Sequence, residues 1–272
     1  MKFGITTRSY GGLTVAEAAE QMAQLGFNVT ELCFSQTDLS GWNYNGLTEI
    51  SDKSPKDVKR ACLEFEKRNI CVFALGIFTN LIIDGPEREN YLRRGEEMID
   101  IAAYCGIPIV ASECGFHSDR ALYARLFEAD YSNLKENVAR LCKYAKKKGV
   151  KVAIEPCILD ILPSAKRMND FIDQLKAEQG IDNLGVLMDY ANLLANSTLE
   201  ETFLLLKDKI YYFHGKDRKI NDAYGRLIGD GDIDWNRFFE LYKEHTPDIP
   251  FILEYANKDT APAARDRVLA ML

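Results

Sequence analysis

Apolar positions along the chain follow two rhythms that take turns. One is a short run with strand character, as in Val150-Lys151-Val152-Ala153-Ile154-Glu155. The other is a longer stretch with apolar residues at helical spacing, as in Ala16, Ala19, Met22 and Ala23. The short runs predict strands at 2–6, 28–34, 70–76, 107–112, 150–155, 184–189, 210–216 and 250–255. Between and after them the helical spacing predicts helices at 13–25, 55–68, 87–105, 131–148, 165–177, 198–206, 235–244 and 261–272. Start and stop signals agree with these bounds. Ser54 caps a helix that opens on Pro55, and Ser197 or Thr198 caps another. Gly26, Gly106 and Gly149 follow helix ends, the last after three lysines that suit the negative end of the helix dipole.

Strands that alternate with helices imply a parallel sheet, because each parallel crossover needs a helix-sized connection. Eight such units are the number that closes a (β/α)8 barrel, so the expected fold class is α/β, a TIM barrel formed as a single domain over 1–272. An open doubly wound sheet is the alternative, but no G-x-G-x-x-G follows an early strand to support a dinucleotide version. The long connections at 35–53, 113–130 and 217–234 would all emerge at the C-terminal face, where barrels build their sites.

Composition narrows the partners. A hydrophobic share of 47% in 272 residues supports a large core. The net charge of −7 argues against a nucleic-acid surface, which needs a basic patch. No apolar run approaches the roughly 18–20 residues of a membrane span. Seven cysteines occur with no C-x-x-C pair, which fits reduced core thiols. Met1 leads straight into a strand with no visible secretory signal. The expectation is a cytoplasmic protein that uses neither nucleic acid nor membrane.

The late strands share an oddity: each apolar run ends on a side chain that can bind a metal. They are Glu155, Asp189, His214 and Glu254, separated by 34, 25 and 40 residues, about one β/α unit each. Neighbouring barrel strands would bring all four to one mouth. Three carboxylates at one point repel, and one would be forced neutral unless a cation joins them. Three oxygen donors and one imidazole suit one divalent cation, Mn²⁺ first, with Mg²⁺, Co²⁺ or Zn²⁺ as alternatives.

The runs Ile-Glu155-Pro, Met-Asp189-Tyr-Ala-Asn192, Phe-His214-Gly-Lys216-Asp217, Gly229-Asp230-Gly231-Asp232-Ile233-Asp234-Trp235 and Leu-Glu254-Tyr together resemble the xylose isomerase-like TIM barrels. Within these the chain is most similar to the sugar phosphate isomerase/epimerase branch. The resemblance implies one divalent metal on Glu155, Asp189, His214 and Glu254, and a small sugar or polyol substrate. It also implies proton transfer next to a carbonyl, with Glu155 and Glu254 as the acid–base pair flanking an enediolate. Asn192 stands where many members carry a histidine; it can hydrogen-bond a hydroxyl but cannot titrate near neutrality. A homodimer or homotetramer is a further implication.

Further substrate-binding candidates are Lys216, Arg226, His117, Glu31 and Glu113. Arg226 or Lys216 would meet charge on the substrate, although Lys216 could instead pair with Asp217. Glu31 and Glu113 end strands and would reach distal hydroxyls. Trp42, Tyr44 and Phe116 would wall a sugar ring. A dehydratase using the same enediolate is the alternative reaction, with His117 as its extra acid. A nuclease of the apurinic-site type would need more histidines than the three present. A binding module that kept the barrel would be expected to have lost a ligand, and none is lost.

Overall fold

The computed structural model describes residues 1–38, 41–44, 55–115, 121–158, 160–222 and 224–272, with backbone only for 34–38, 41–44 and 121–125. Strands and helices alternate along the chain: β1 (Phe3–Ile5), α1 (Val15–Gln24), β2 (Val29–Asp38), β3 (Gly41–Tyr44), α2 (Pro55–Glu66), β4 (Cys71–Gly76), α3 (Arg88–Cys105), β5 (Ile109–Glu113) and α4 (Ala121–Lys147). They continue with β6 (Lys151–Glu155), α5 (Ala165–Gln179), β7 (Leu184–Asp189), α6 (Leu199–Leu206), β8 (Ile210–Gly215), α7 (Trp235–His245), β9 (Phe251–Leu253) and α8 (Ala261–Met271). Eight strands pair in parallel in the order β1-β9-β8-β7-β6-β5-β4-β2. Gly4 of β1 lies opposite Val29 of β2, which closes the ring into a (β/α)8 barrel.

Strand period two divides the side chains between two layers. Ala153, Leu187, Tyr212 and Ile252 fill the barrel interior with Val29, Ala74, Ile109 and Ala111. Their sequence neighbours Val152, Ile154, Val186, Met188, Phe213, Phe251 and Leu253 face outward and pack under the helices. The aromatic residues Phe203, Phe213, Phe238 and Phe251 meet there at ring separations of 5.6–6.4 Å. This parity answers why an apolar strand ends on a charge. Two residues beyond each inward apolar residue comes the inward position at the mouth, and on β6, β7 and β8 those positions are Glu155, Asp189 and His214.

Two predicted boundaries need correction. The helix expected at 131–148 begins ten residues earlier, at Ala121. Residues 121–130 contain Ala, Leu, Arg and Glu with no Gly or Pro, so nothing in them stops a helix. Phe127 then stacks on Tyr131 at 6.0 Å, and Tyr131 meets Phe171 edge-on at 5.8 Å, which fixes the added turns to α5. The connection expected from residue 35 instead continues as strand to Asp38 and turns back antiparallel through β3, pairing Phe34 with Tyr44 and Gln36 with Trp42. Ser54, expected as a cap, lies outside the described residues. Thr198, not Ser197, caps α6 by accepting from Glu201 N at 3.1 Å; the Ser197 hydroxyl serves Ala165 N instead. None of the seven cysteines takes part in a disulfide.

Candidate metal centre and active site

Four adjacent strands carry the cluster. Glu155 ends β6, Asp189 ends β7 and His214 is next to last in β8. Glu254 follows β9 and extends its ladder, its N–H donating to Gly215 O at 3.0 Å. All four are buried, and one ligand atom from each lies within 4.8 Å of those of the other three. His214 is fixed from behind. Its Nε2 is 2.8 Å from Glu31 Oε2, which also accepts from Tyr212 OH at 2.6 Å. Among the described residues its Nδ1 has no hydrogen-bond partner, and it looks at Glu155 Oε1 and Glu254 Oε2, each 3.8 Å away. A carboxylate on one ring nitrogen and an open second nitrogen facing carboxylates is the arrangement of a histidine metal ligand. Oxygen and imidazole donors at these separations fit one divalent cation.

Cations already temper the carboxylates. Lys216 Nζ lies 2.6 Å from Asp189 Oδ2, close but out of line for a hydrogen bond, and donates to Glu254 Oε2 at 2.9 Å. Arg8 Nη1 reaches Glu254 Oε1 at 3.3 Å, with its guanidinium 4.9 Å over the Phe78 ring. Burial works to raise the Glu254 carboxyl, but Lys216, His214 and Arg8 together bring it down to about 2. Burial lifts Asp189 to about 7 despite Lys216, with Glu155 and Glu254 adding repulsion. Glu31 is likewise burdened by burial, yet the charge and hydrogen bond of His214 and the bond from Tyr212 hold it below the usual range. Burial opposes protonation of His214, and Glu31 and Glu254 overcome it, so its value lies well above that of a free imidazole.

The remaining candidates fall into different places. Asn192 donates to Glu155 Oε1 at 2.8 Å and accepts from Arg218 Nη2 at 3.2 Å. Glu113 sits in register beside Glu155, half-buried, and is pushed up to about 7 by burial and then by Glu155. Glu31 is fully buried behind His214, with Oε2 committed to Tyr212 and His214, not at the rim where distal hydroxyls would be met. Gly76 makes this possible, since a Cβ there would stand 2.3 Å from Glu31 Oε1. Arg226 is not brought to the cluster; it pairs with Asp222 at 2.6 Å in the loop after β8. His117 and Phe116 lie outside the described residues, as do the side chains of Trp42 and Tyr44.

Lys216 does not pair with Asp217. The Asp217 carboxylate accepts from Arg218 N at 2.8 Å, Gly229 N at 3.0 Å, Ile233 N at 3.4 Å and Trp235 Nε1 at 2.8 Å. It thus ties the Gly-Asp-Gly-Asp-Ile-Asp-Trp segment to the end of β8. Asp232 accepts from Ile220 N, Asp234 caps α7 through Arg237 N, and Asp230 pairs with Arg267. The acidic motif is therefore spent on loop structure. Sequence reasoning missed Arg8, Tyr212 and Arg218. Arg8 carried one signal, its place just past the C-terminal end of the first strand; Tyr212 carried another, its inward parity two residues before His214.

Residues 19–272 match the family of xylose isomerase-like TIM barrels, and the chain belongs to that family. No curated protein sequence matches it. Among solved structures, a putative xylose isomerase from Rhodospirillum rubrum superposes with a TM-score of 0.79 at 15% identity, covering 99% of each chain. The 3-keto-D-glucoside 4-epimerase YcjR from E. coli gives 0.76 at 15% identity, over 100% of this chain and 98% of that one. The IolI protein, solved with a zinc atom, gives 0.74 at 17% identity, over 100% and 96%.

Proposed function

We propose that the protein is a divalent-metal-dependent isomerase or epimerase acting on a sugar or sugar derivative. The observation that carries this reading is His214: Nε2 anchored on Glu31, Nδ1 open toward Glu155 and Glu254. Glu155, Asp189, His214 and Glu254 would hold the ion, with Mn²⁺ the first choice. Sugar epimerases among the structural neighbours and the zinc of IolI support the substrate class and the cation.

The ion would supply Lewis-acid stabilisation of negative charge on a substrate oxygen. The chain's own residues do the rest. A carbon acid beside a carbonyl needs a base within hydrogen-bond reach, and such positioned groups contribute ~10²–10⁴-fold. Glu254 is kept ionised by Lys216 and Arg8 and so is in the form to accept a proton. Glu155 has Oε1 held by Asn192, and no hydrogen bond among the described residues reaches Oε2. In an epimerase each glutamate serves one face of the carbon, and their roles exchange with the direction of reaction. Lys216 offers its ammonium to charge growing on the substrate. The buried position of the cluster strengthens each of these interactions.

Metal analysis by plasma mass spectrometry on protein purified without chelator tests the reading. About one divalent ion per chain is expected in wild type, with a sharp loss in Glu155→Gln/Glu254→Gln. Solvent deuterium should then enter a ketose or keto acid in wild type and not in that variant. Absence of metal even after soaking in Mn²⁺ would refute the proposal, and two or three zinc ions per chain would point to a nuclease instead.

A further inference from the structure

Arg218 is 6% exposed, yet among the described residues its Nε and Nη1 have no hydrogen-bond partner. Only Nη2 is engaged, with the neutral Asn192 Oδ1. The carboxylate that precedes it, Asp217, is filled by four N–H donors, none of them from this guanidinium. Asp222, which feels the charge of Arg218, is taken by Arg226. Among the described residues no carboxylate pairs with this guanidinium; a buried cation so placed is costly, and a neutral acceptor would satisfy its N–H groups without offsetting its charge. The guanidinium is also one side chain away from Glu155, through Asn192.

We propose that Arg218 binds a carboxylate of the substrate, so that the substrate is a sugar acid or a similar polyhydroxylated acid. The inference rests on the isomerase/epimerase reading of the same mouth. A carboxylate is the anion that fits: it is planar, matches the guanidinium edge, and carries the one charge that Arg218 lacks. A phosphate dianion would bring a second charge toward Glu155, Glu113, Asp189 and Glu254. Asn192 gains a reason as well, since it holds the guanidinium and the acid–base glutamate in one hydrogen-bonded line.

The test uses three probes that share a carbon skeleton, gluconate, glucitol and glucitol 6-phosphate, titrated calorimetrically at constant free Mn²⁺. Wild type should bind gluconate roughly ten- to a hundredfold more tightly than glucitol, the range expected of a charged hydrogen bond. The ratio should fall to near one in Arg218→Gln and be partly kept in Arg218→Lys, which also serves if the glutamine variant does not fold. Without ligand, Arg218→Gln should melt no lower than wild type, whereas an arginine needed only for structure would lower the melting temperature. Equal binding of gluconate and glucitol, a preference that survives in Arg218→Gln, or tighter binding of the phosphate would each overturn the proposal. Binding of no probe would overturn it too, and deuterium exchange into neutral ketoses would then show whether the isomerase/epimerase reading stands without it.

Discussion

At the scale of single residues, the proposed metal centre rests on side chains behind its candidate ligands. Glu31 and Tyr212 set the ring of His214 from behind. Removing such an outer partner typically weakens metal affinity by about 10–100-fold. Glu31→Gln should do this in a metal-competition titration while leaving the stoichiometry at one; unchanged affinity would show that Glu31 is only packing. Protons compete with the ion in a definite direction. Asp189 is lifted to about 7 by burial, and His214 is raised well above its ordinary value once Glu31 and Glu254 overcome burial. Both must lose a proton to become ligands, so affinity should rise with pH. Below about pH 7 it should drop by roughly tenfold or more per unit, and a flat profile from pH 6 to 8 would contradict these protonation states.

Among elements, the β8–α7 connection is the one most tightly bound to the site. Asp217 accepts four N–H groups, three of them more than ten residues ahead, at Gly229, Ile233 and Trp235, beyond the loop that carries Arg218. Gly231 is required beside it, since a Cβ there would stand 2.1 Å from Asp217 Oδ1. Hydrogen bonds to a charged acceptor contribute about 1.5–3 kcal/mol each, and they do not add fully. Asp217→Ala should therefore cost about 3–5 kcal/mol in chemical denaturation and release the loop to proteolysis near residue 230. A cost under about 1 kcal/mol would mean that other contacts hold the loop. The early start of α4 makes a smaller claim of the same kind. Phe127 bridges Tyr131 and the Arg167 guanidinium, 4.8 Å above its ring, so Phe127→Ala should lower stability by about 1–3 kcal/mol with little change in metal content.

For the whole molecule, closing the barrel gathers groups 25 to 40 residues apart, and also Glu31, which lies 183 residues before His214, into one buried cluster. A ligand that binds only the folded mouth must stabilise the entire fold. At a hundred times its dissociation constant an ion adds about 2.7 kcal/mol, or roughly 5–10 °C in Tm for a domain of this size. Scanning calorimetry with Mn²⁺ and with chelator should show that shift in wild type and lose it in Glu155→Gln/Glu254→Gln. Equal shifts in both proteins would place the ion elsewhere.

What the chain alone determines is what repeats locally. Period two in the strands, helical spacing between them and capping residues specified eight units, and the carboxylate or imidazole ending each late strand marked the mouth. Those signals lie within a few residues of one another, so no long-range contact is needed to see them. The roles of Glu31, Arg8 and Arg218 depend on which atom faces which across the barrel, and no spacing encodes that. Glu31 looked like a rim residue because it ends a strand. Only the barrel's closure puts β2 across from β8 and Gly76 beside it, turning Glu31 inward onto His214. For Lys216, expected to meet charge on the substrate, the sequence left open a pair with its neighbour Asp217, but strand parity sends adjacent side chains to opposite faces, and the lysine lies against Asp189 and Glu254. The acidic motif after β8 carried the family resemblance in the sequence and serves structure in the fold, because Asp232 and Asp234 accept backbone N–H groups and Asp230 pairs with Arg267 only once the loop is folded.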